Sequence, residues 1–219
     1  MDFDRITIDK KKRRFYMENR TNKKIIKKEV NPKDAILVFS SFSFICLAII
    51  FMLIVYEVVN IEQYLTFNHP AQLLMYVIIA SFTLVLYGVI LTYVVPSKDI
   101  DDTNKSYQMY SLQEIFAFML LGALFEELLF RGIIQNVLYI WLDHQWMAML
   151  ITTCLFLAIH VQYFKKPIML LNISIPSLTF SWLYFNTYNI LVPIIVHFLM
   201  NLGITLLFKY NVLNVKKPK

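Results

Sequence analysis

Two adjacent glutamates and one arginine interrupt an otherwise apolar stretch of this chain. Glu126 and Glu127 precede Arg131, and residues 115–125 and 133–142 contain no charge. On an α-helix, Glu127 and Arg131 lie on one face in the favoured acid-first order, while Glu126 points roughly 100° away. We therefore expect Arg131 to neutralise Glu127 and to leave Glu126 unpaired. The alternative is an ion network that locks a helix bundle without doing chemistry.

Charges in such a stretch are costly if it lies in a membrane. One Asp, Lys or Arg at the centre of a membrane helix costs roughly 2.5–3.5 kcal/mol, and each flanking apolar residue returns only about 0.3–0.6 kcal/mol. If Glu costs about the same, the three charges cost on the order of 8–10 kcal/mol. The helix needs partners for its charges, which makes these residues candidates for a functional site.

Two histidines on other apolar stretches complete the candidate set. His160 follows Phe156 by one helix turn, and His197 precedes Asn201 by one turn. A lone histidine in a membrane helix is usually a packed core residue. Two histidines, an asparagine and a glutamate on three stretches instead supply a base, a proton shuttle and hydrogen-bond donors. Counting about 1.5 Å per residue from the helix ends places Glu126 and His197 at the same depth and His160 about 10 Å shallower.

Hydropathy predicts six membrane spans that must position these residues. They cover residues 35–56, 71–95, 112–142, 146–164, 168–185 and 190–208. The third is long enough to be tilted or broken, and the fifth is the least secure, because about 20 apolar residues are needed to cross. Lys and Arg occur on every second connection, so the positive-inside rule predicts that both termini are cytoplasmic.

The composition indicates a polytopic helical membrane protein. Of its 219 residues, 58% are hydrophobic and only 16% are charged, whereas a soluble domain is about 25% charged. The fold class is therefore predicted to be all-α, a transmembrane helix bundle of about six spans. Ser174, Ser177 and Ser181 in the fifth span are expected to be polar residues of helix packing.

Charge and hydropathy divide the chain into five regions. They are a basic cytoplasmic juxtamembrane segment (1–34), two N-terminal transmembrane helices (35–95), a polar cytoplasmic loop (96–111), the bundle with the candidate residues (112–208) and a basic cytoplasmic tail (209–219). Residues 10–28, from Lys10 to Lys28, hold ten Lys and Arg against one acid. The plainer interpretation is a positive-inside anchor, and the more specific one is a surface helix that also binds anionic lipid. Nucleic acid is not expected as a partner.

The three motifs, in this order and with this internal spacing, resemble those of the CAAX protease and bacteriocin-processing (CPBP, or Abi) family of intramembrane proteases. They are Glu126-Glu127-x-x-x-Arg131, Phe156-x-x-x-His160 and His197-x-x-x-Asn201. Gly132 after Arg131 is also typical of that family. The resemblance covers residues 113–205. Other hydrolase signatures, such as HExxH and GxSxG, are missing from the sequence.

The resemblance implies a conical helix bundle in a bacterial cell membrane, with a cavity open to the cytoplasm and to lipid. It implies glutamate-dependent, metal-independent cleavage of a membrane-associated, lipidated or secreted peptide, without a cofactor. The family's water-activating pair falls on Glu126 and His160, and its oxyanion-stabilising pair on His197 and Asn201. Its supporting residues are Glu127, Arg131 and Phe156.

Three other functions stay open at this point. Glu126, His160 and His197 form a set of the His₂Glu type that binds zinc in metalloproteases. The same fold can also serve as a non-catalytic membrane scaffold, a regulator or a bacteriocin-immunity protein, because fold does not determine function. A transporter or channel would be indicated by interrupted half-helices in matching halves, which the hydropathy pattern does not show.

Overall fold

The computed structural model describes residues 32–96 and 110–213, which are helical apart from their connections. The α-helices are α1 (Pro32–Val55), α2 (Pro70–Val94), α3 (Leu112–Glu127), α4 (Asn136–Leu142), α5 (Gln145–Ile159), α6 (Pro167–Thr187) and α7 (Leu191–Lys209). A π-helical segment, Leu128–Gln135, joins α3 to α4 without a break. The predicted all-α class is confirmed. The basic segment 10–28 lies outside the described residues.

The helices of this chain are those of a membrane protein. Within the described residues, α1, α2, α6 and α7 are long and apolar enough to cross a bilayer, so the least secure predicted span is present as a 21-residue helix. Large apolar side chains face outward on the first two helices, with Phe44 74% and Phe82 70% exposed, as a lipid environment allows. The total of six spans and the cytoplasmic termini stay predictions.

Local sequence signals explain where several helices begin and end. The Ser111 hydroxyl accepts a hydrogen bond from the Glu114 N–H, and the Glu114 carboxylate accepts one from the Ser111 N–H. This capping box starts α3. Pro70 and Pro167 stand at the starts of α2 and α6. Proline lacks an N–H, but at the first position of a helix that N–H would have no partner within the helix. Tyr188, with φ 44°, ends α6 in the left-handed region.

The two N-terminal helices pack directly on the helices that carry the motifs. Helix α1 lies against α3, and α2 lies against α7. A Cβ atom on Gly88 would come within 2.8 Å of Ile204, and one on Gly203 within 3.1 Å of Val85. Small residues at such positions let membrane helices approach closely. The first two helices therefore contribute walls to the same bundle.

The π-helical segment is the main departure from the predicted helices. The third span was expected to be α-helical around Arg131, and that expectation is wrong for Leu128–Gln135. A π turn shifts the backbone hydrogen bonds, and side chains satisfy the affected carbonyls. Asn136 Nδ2 donates to the carbonyls of Arg131 and Gly132, at 3.2 and 2.8 Å. The Tyr64 hydroxyl also donates to the Gly132 carbonyl, at 2.9 Å.

Tyr64 reaches this carbonyl from the connection between α1 and α2. Burial raises the pKa of Tyr64 to about 12, so its hydroxyl stays protonated and able to donate at neutral pH. Asn136 also donates to the Tyr184 hydroxyl, at 2.7 Å. The π segment is thus held from two sides, and π-helical turns frequently occur at functional sites.

Candidate active site

The four residues that the sequence analysis assigned to chemistry line one cavity. Its volume is about 390 Å³, and its walls come from α1, α2, α3, α6, α7, the end of α5 and the segment that follows α5. Glu126 lies on α3, His160 directly follows α5, and His197 and Asn201 lie on α7. Three motifs that are spread over residues 126–201 therefore meet around one space inside the bundle.

One oxygen of Glu127 binds two cationic or polar partners. Glu127 Oε1 accepts hydrogen bonds from Arg131 Nη1 at 3.0 Å and from His197 Nδ1 at 2.7 Å. The side chains of Glu127 and Arg131 have no exposed area. The pairing of Glu127 with Arg131 follows the prediction and survives the π geometry. The second partner, His197, was not predicted, and it connects the glutamate pair of α3 to α7.

Glu126 has a different environment from its neighbour. Its carboxylate is 23% exposed and lines the cavity, and its Oε2 lies 3.9 Å from His197 Nε2. That separation is too long for a direct hydrogen bond but close enough for electrostatic attraction. Because His197 Nδ1 is engaged with Glu127, the nitrogen that faces Glu126 is Nε2. The two carboxylates therefore differ as expected: one is buried and paired, and the other faces the cavity.

The chain conformation after α5 fixes the ring of His160. His160 Nδ1 lies 2.7 Å from the carbonyl oxygen of Phe156. A carbonyl only accepts, so Nδ1 carries a hydrogen, and the neutral ring keeps its acceptor lone pair on Nε2. This histidine can therefore accept a proton from water in the cavity.

The short length of α5 explains how His160 reaches a site that the depth count placed beyond it. The count assumed a helix to residue 164, whereas α5 is 15 residues long and ends at Ile159. At about 1.5 Å per residue it spans roughly 22 Å, less than the hydrocarbon core of about 30 Å. A helix of this length that enters a bilayer has at least one end within the hydrocarbon core. Irregular backbone at that depth is tolerated where it lines a cavity.

Two residues of α6 that the sequence analysis did not place in the site hold Arg131. Ser177 accepts hydrogen bonds from Arg131 Nη2 through its carbonyl, at 2.6 Å, and through its Oγ, at 2.8 Å. The guanidinium lies between the rings of Phe156 and Phe180, 5.4 Å from each centroid. Ser177 was expected to be a polar residue of helix packing, and it joins α6 to the π-helical segment by accepting these two bonds from Arg131. A buried Arg needs several hydrogen-bond acceptors. This requirement was the signal in the sequence that could have pointed to a serine of a neighbouring span as a partner of Arg131.

Phe156 supports His160 through its ring and through its backbone. Its ring packs edge-to-face on Phe130 at 5.0 Å and lies 4.5 Å from the His160 ring. Since its carbonyl also holds His160 Nδ1, this residue places the imidazole through both its backbone and its side chain. That arrangement accounts for the spacing Phe156-x-x-x-His160.

The zinc alternative needs three ligands around one point. In residues 32–96 and 110–213, no group of three or more His, Cys, Asp and Glu side chains is arranged to hold a metal ion. Glu126 and His197 are near each other, but His197 already uses Nδ1 for Glu127. Chelation is the direct test of this alternative.

Comparison with known proteins gives the family context of this site. Residues 108–203 match the family model described as type II CAAX prenyl endopeptidase Rce1-like. The chain is 28% identical over 109 residues to "Uncharacterized protein YpbD" of Bacillus subtilis (strain 168). That alignment covers 48% of this chain and 53% of the relative, so the chain spans about half of the relative's length. No solved structure matches the chain. The resemblance that the three motifs predicted is thereby confirmed: over residues 108–203, this chain resembles the Rce1-like CAAX prenyl endopeptidases.

Proposed function

We propose that this protein is an intramembrane endopeptidase that hydrolyses a peptide bond of a membrane-associated, lipidated or secreted peptide. The observation that supports the proposal is the meeting of Glu126, His160, His197 and Asn201 at one cavity. They belong to three separate motifs on three different parts of the chain. The match to an endopeptidase family supports the reaction class.

Glu126 and His160 are proposed to activate the water that attacks the substrate carbonyl. Both present acceptors to the cavity, namely the Glu126 carboxylate and, by its tautomer, His160 Nε2. A water that donates one hydrogen to each has a lone pair left for attack. Glu126 takes a proton as the carbon–oxygen bond forms and returns it to the leaving amine when the carbon–nitrogen bond breaks. A positioned base of this kind is worth about 10²–10⁴ in rate.

His197 and Asn201 are proposed to stabilise the oxyanion of the tetrahedral intermediate. His197 Nδ1 is held by Glu127, so its donor toward substrate is Nε2–H, which requires a doubly protonated ring. The buried Glu127 carboxylate, 2.7 Å away, stabilises that cation. Asn201 donates through its neutral amide. One such donor is worth about 10²–10³ in kcat. Glu127, Arg131 and Phe156 hold these groups in place, and the reaction needs no metal ion.

The test begins with the unknown substrate. Membrane peptidomes of cells with the wild-type protein and with Glu126→Gln are compared. Glu114→Gln on the same helix serves as the matched control, because the Glu114 carboxylate caps α3 outside the cavity. We expect a precursor to accumulate only with Glu126→Gln. Identical peptidomes for wild type and Glu126→Gln, with equal protein levels, would support a non-catalytic scaffold or immunity protein.

Purified protein in nanodiscs then decides the role of metal. We expect turnover of the identified peptide to persist in EDTA and in 1,10-phenanthroline. Loss of turnover that zinc restores would support the alternative centre formed by Glu126, His160 and His197.

The basic segment 10–28 is proposed to bind anionic lipid beside the membrane. Its ten Lys and Arg are worth about 1 kcal/mol each near an anionic surface. For the wild type, turnover should differ between nanodiscs that contain phosphatidylglycerol and nanodiscs that do not. Alanine in place of Lys10, Lys11 and Lys12 should reduce that difference, whereas no change would leave only the anchor interpretation.

A further inference from the structure

Phe180 contacts both of the groups that share the Glu127 carboxylate. Its ring stacks on the His197 ring, with centroids 4.7 Å apart and planes 19° from parallel. The guanidinium carbon of Arg131 lies 5.4 Å from the same ring centroid. Phe180 is 1% exposed and lies on α6, one turn after Ser177. It belongs to none of the three motifs.

A stacked ring restricts the one torsion that decides where the His197 nitrogens point. The imidazole torsion χ2 has broad, shallow minima, so sequence-local preferences do not set the plane of the ring. In the observed plane, Nδ1 bonds to Glu127 and Nε2 points to Glu126. A large rotation would drive the imidazole into the Phe180 ring and break the bond to Glu127. An aliphatic side chain would fill part of the volume without offering a flat face.

We propose that Phe180 is a positioning residue, whose ring sets the plane of His197 and supports Arg131 behind the Glu127 carboxylate. The catalytic consequence rests on the proposed endopeptidase function, whereas the effect on the His197 ring rests on the packing alone. Phe180 acts through His197: it keeps Nε2 directed at Glu126 and at the bound substrate. Catalytic groups misplaced by about 1 Å can lose up to 10²-fold in rate.

The activity test compares three variants of the full chain in nanodiscs. Phe180→Leu removes the ring, and Phe180→Tyr keeps it. Phe185→Leu is the matched control, because Phe185 is a buried α6 phenylalanine that packs on Tyr139 outside the cavity. We expect Phe180→Leu to lower kcat about 10-fold or more with little change in KM, in line with a misplaced catalytic group. Phe180→Tyr and Phe185→Leu should stay near wild type.

A second readout does not depend on turnover. The ¹⁵N shifts of His197, assigned by comparison with His197→Gln, report which ring nitrogen carries hydrogen. We expect one form, with Nδ1 carrying hydrogen and bonded to Glu127, in wild type and Phe180→Tyr. In Phe180→Leu we expect signals averaged between different orientations of the ring. If Phe180→Leu does not fold, Phe180→Met provides the same comparison.

The outcomes separate the two proposals. An averaged His197 in Phe180→Leu, together with a wild-type protein that cleaves no peptide, would support the positioning role and overturn the endopeptidase function. Wild-type kcat and an unchanged His197 spectrum in Phe180→Leu would overturn the positioning role. A raised KM with unchanged kcat and spectrum would also overturn it, because the ring would then contact substrate directly.

Discussion

Replacement of Glu127 by alanine should destabilise the folded bundle far more than replacement of Glu126. Glu127 is fully buried, and its Oε1 accepts hydrogen bonds from both Arg131 and His197. Among the described residues, its removal leaves the buried guanidinium with Ser177 as its remaining hydrogen-bonding partner and leaves His197 Nδ1 without an acceptor. Glu126 is 23% exposed to the cavity and accepts no bond from His197 at 3.9 Å, so its removal strands no partner.

The expected size of the effect follows from these contacts. Loss of one partner of a buried ion pair costs about 3–5 kcal/mol. Glu127 and Arg131 lie on the same segment, so they still attract each other when the bundle has come apart into separate helices in the membrane. Polar contacts between membrane helices average only about 0.6 kcal/mol. These facts place Glu127→Ala at the lower end, about 3 kcal/mol, which is roughly a hundredfold change in the ratio of folded to unfolded protein. Glu126→Ala should cost under about 1 kcal/mol.

The measurement is reversible unfolding in mixed micelles, as a function of the mole fraction of dodecyl sulfate. The double variant Glu127→Ala with Arg131→Met is the internal control, since it removes both charges. It should be more stable than Glu127→Ala alone, because an unpaired buried charge is worse than none. Equal free energies of unfolding for Glu127→Ala and Glu126→Ala would refute the division into a structural and a reactive carboxylate.

Three further predictions concern the site, the packing and the topology. Asn201→Leu should fold normally and lose about 10²–10³ in kcat. The double variant His197→Ala with Asn201→Ala should be little worse than the poorer single variant, because the two residues act as one unit. Turnover per folded protein checks both expectations, and a near-normal kcat for Asn201→Leu would remove Asn201 from the site. Gly132→Ala places a Cβ 2.8 Å from Ile50 Cδ1, the end of that side chain, and should lower the melting temperature by the equivalent of about 1 kcal/mol. Ile50→Val should largely restore it, and no rescue would place the strain elsewhere. Cysteines introduced at positions 62 and 165 should react with an impermeant reagent from opposite sides of the membrane, and labelling from one side would contradict the six-span topology.

The positions of most helices could be predicted from the sequence. Apolar runs long enough to cross a bilayer marked four of the helices, since so long an uninterrupted hydrophobic stretch is typical of a membrane span. The predicted first, second, fifth and sixth spans agree with α1, α2, α6 and α7 to within a few residues at each end. The fourth was predicted too long, because the apolar residues after Ile159 continue the hydropathy signal although the helix has ended.

The candidate residues could also be predicted, because their spacing is a property of single helices. Glu127 and Arg131 are one turn apart on one segment, and their ion pair forms without help from another helix. The π geometry of Leu128–Gln135 was not predictable in the same way. It depends on Asn136, Tyr64 and Tyr184, two of which reach the segment from distant parts of the chain.

By itself, the sequence determined that this is a helical membrane protein with three polar motifs, because length, hydropathy and helical spacing are local properties. Only the tertiary structure decided that His197 binds Glu127, that Ser177 holds Arg131 and that Phe180 stacks on His197. These contacts join residues on different helices and require a particular rotation of each helix about its axis. In a bilayer, lipid tails are as apolar as leucine side chains, so hydropathy does not mark which face of a helix meets its neighbour, and close packing and polar contacts between helices make that choice.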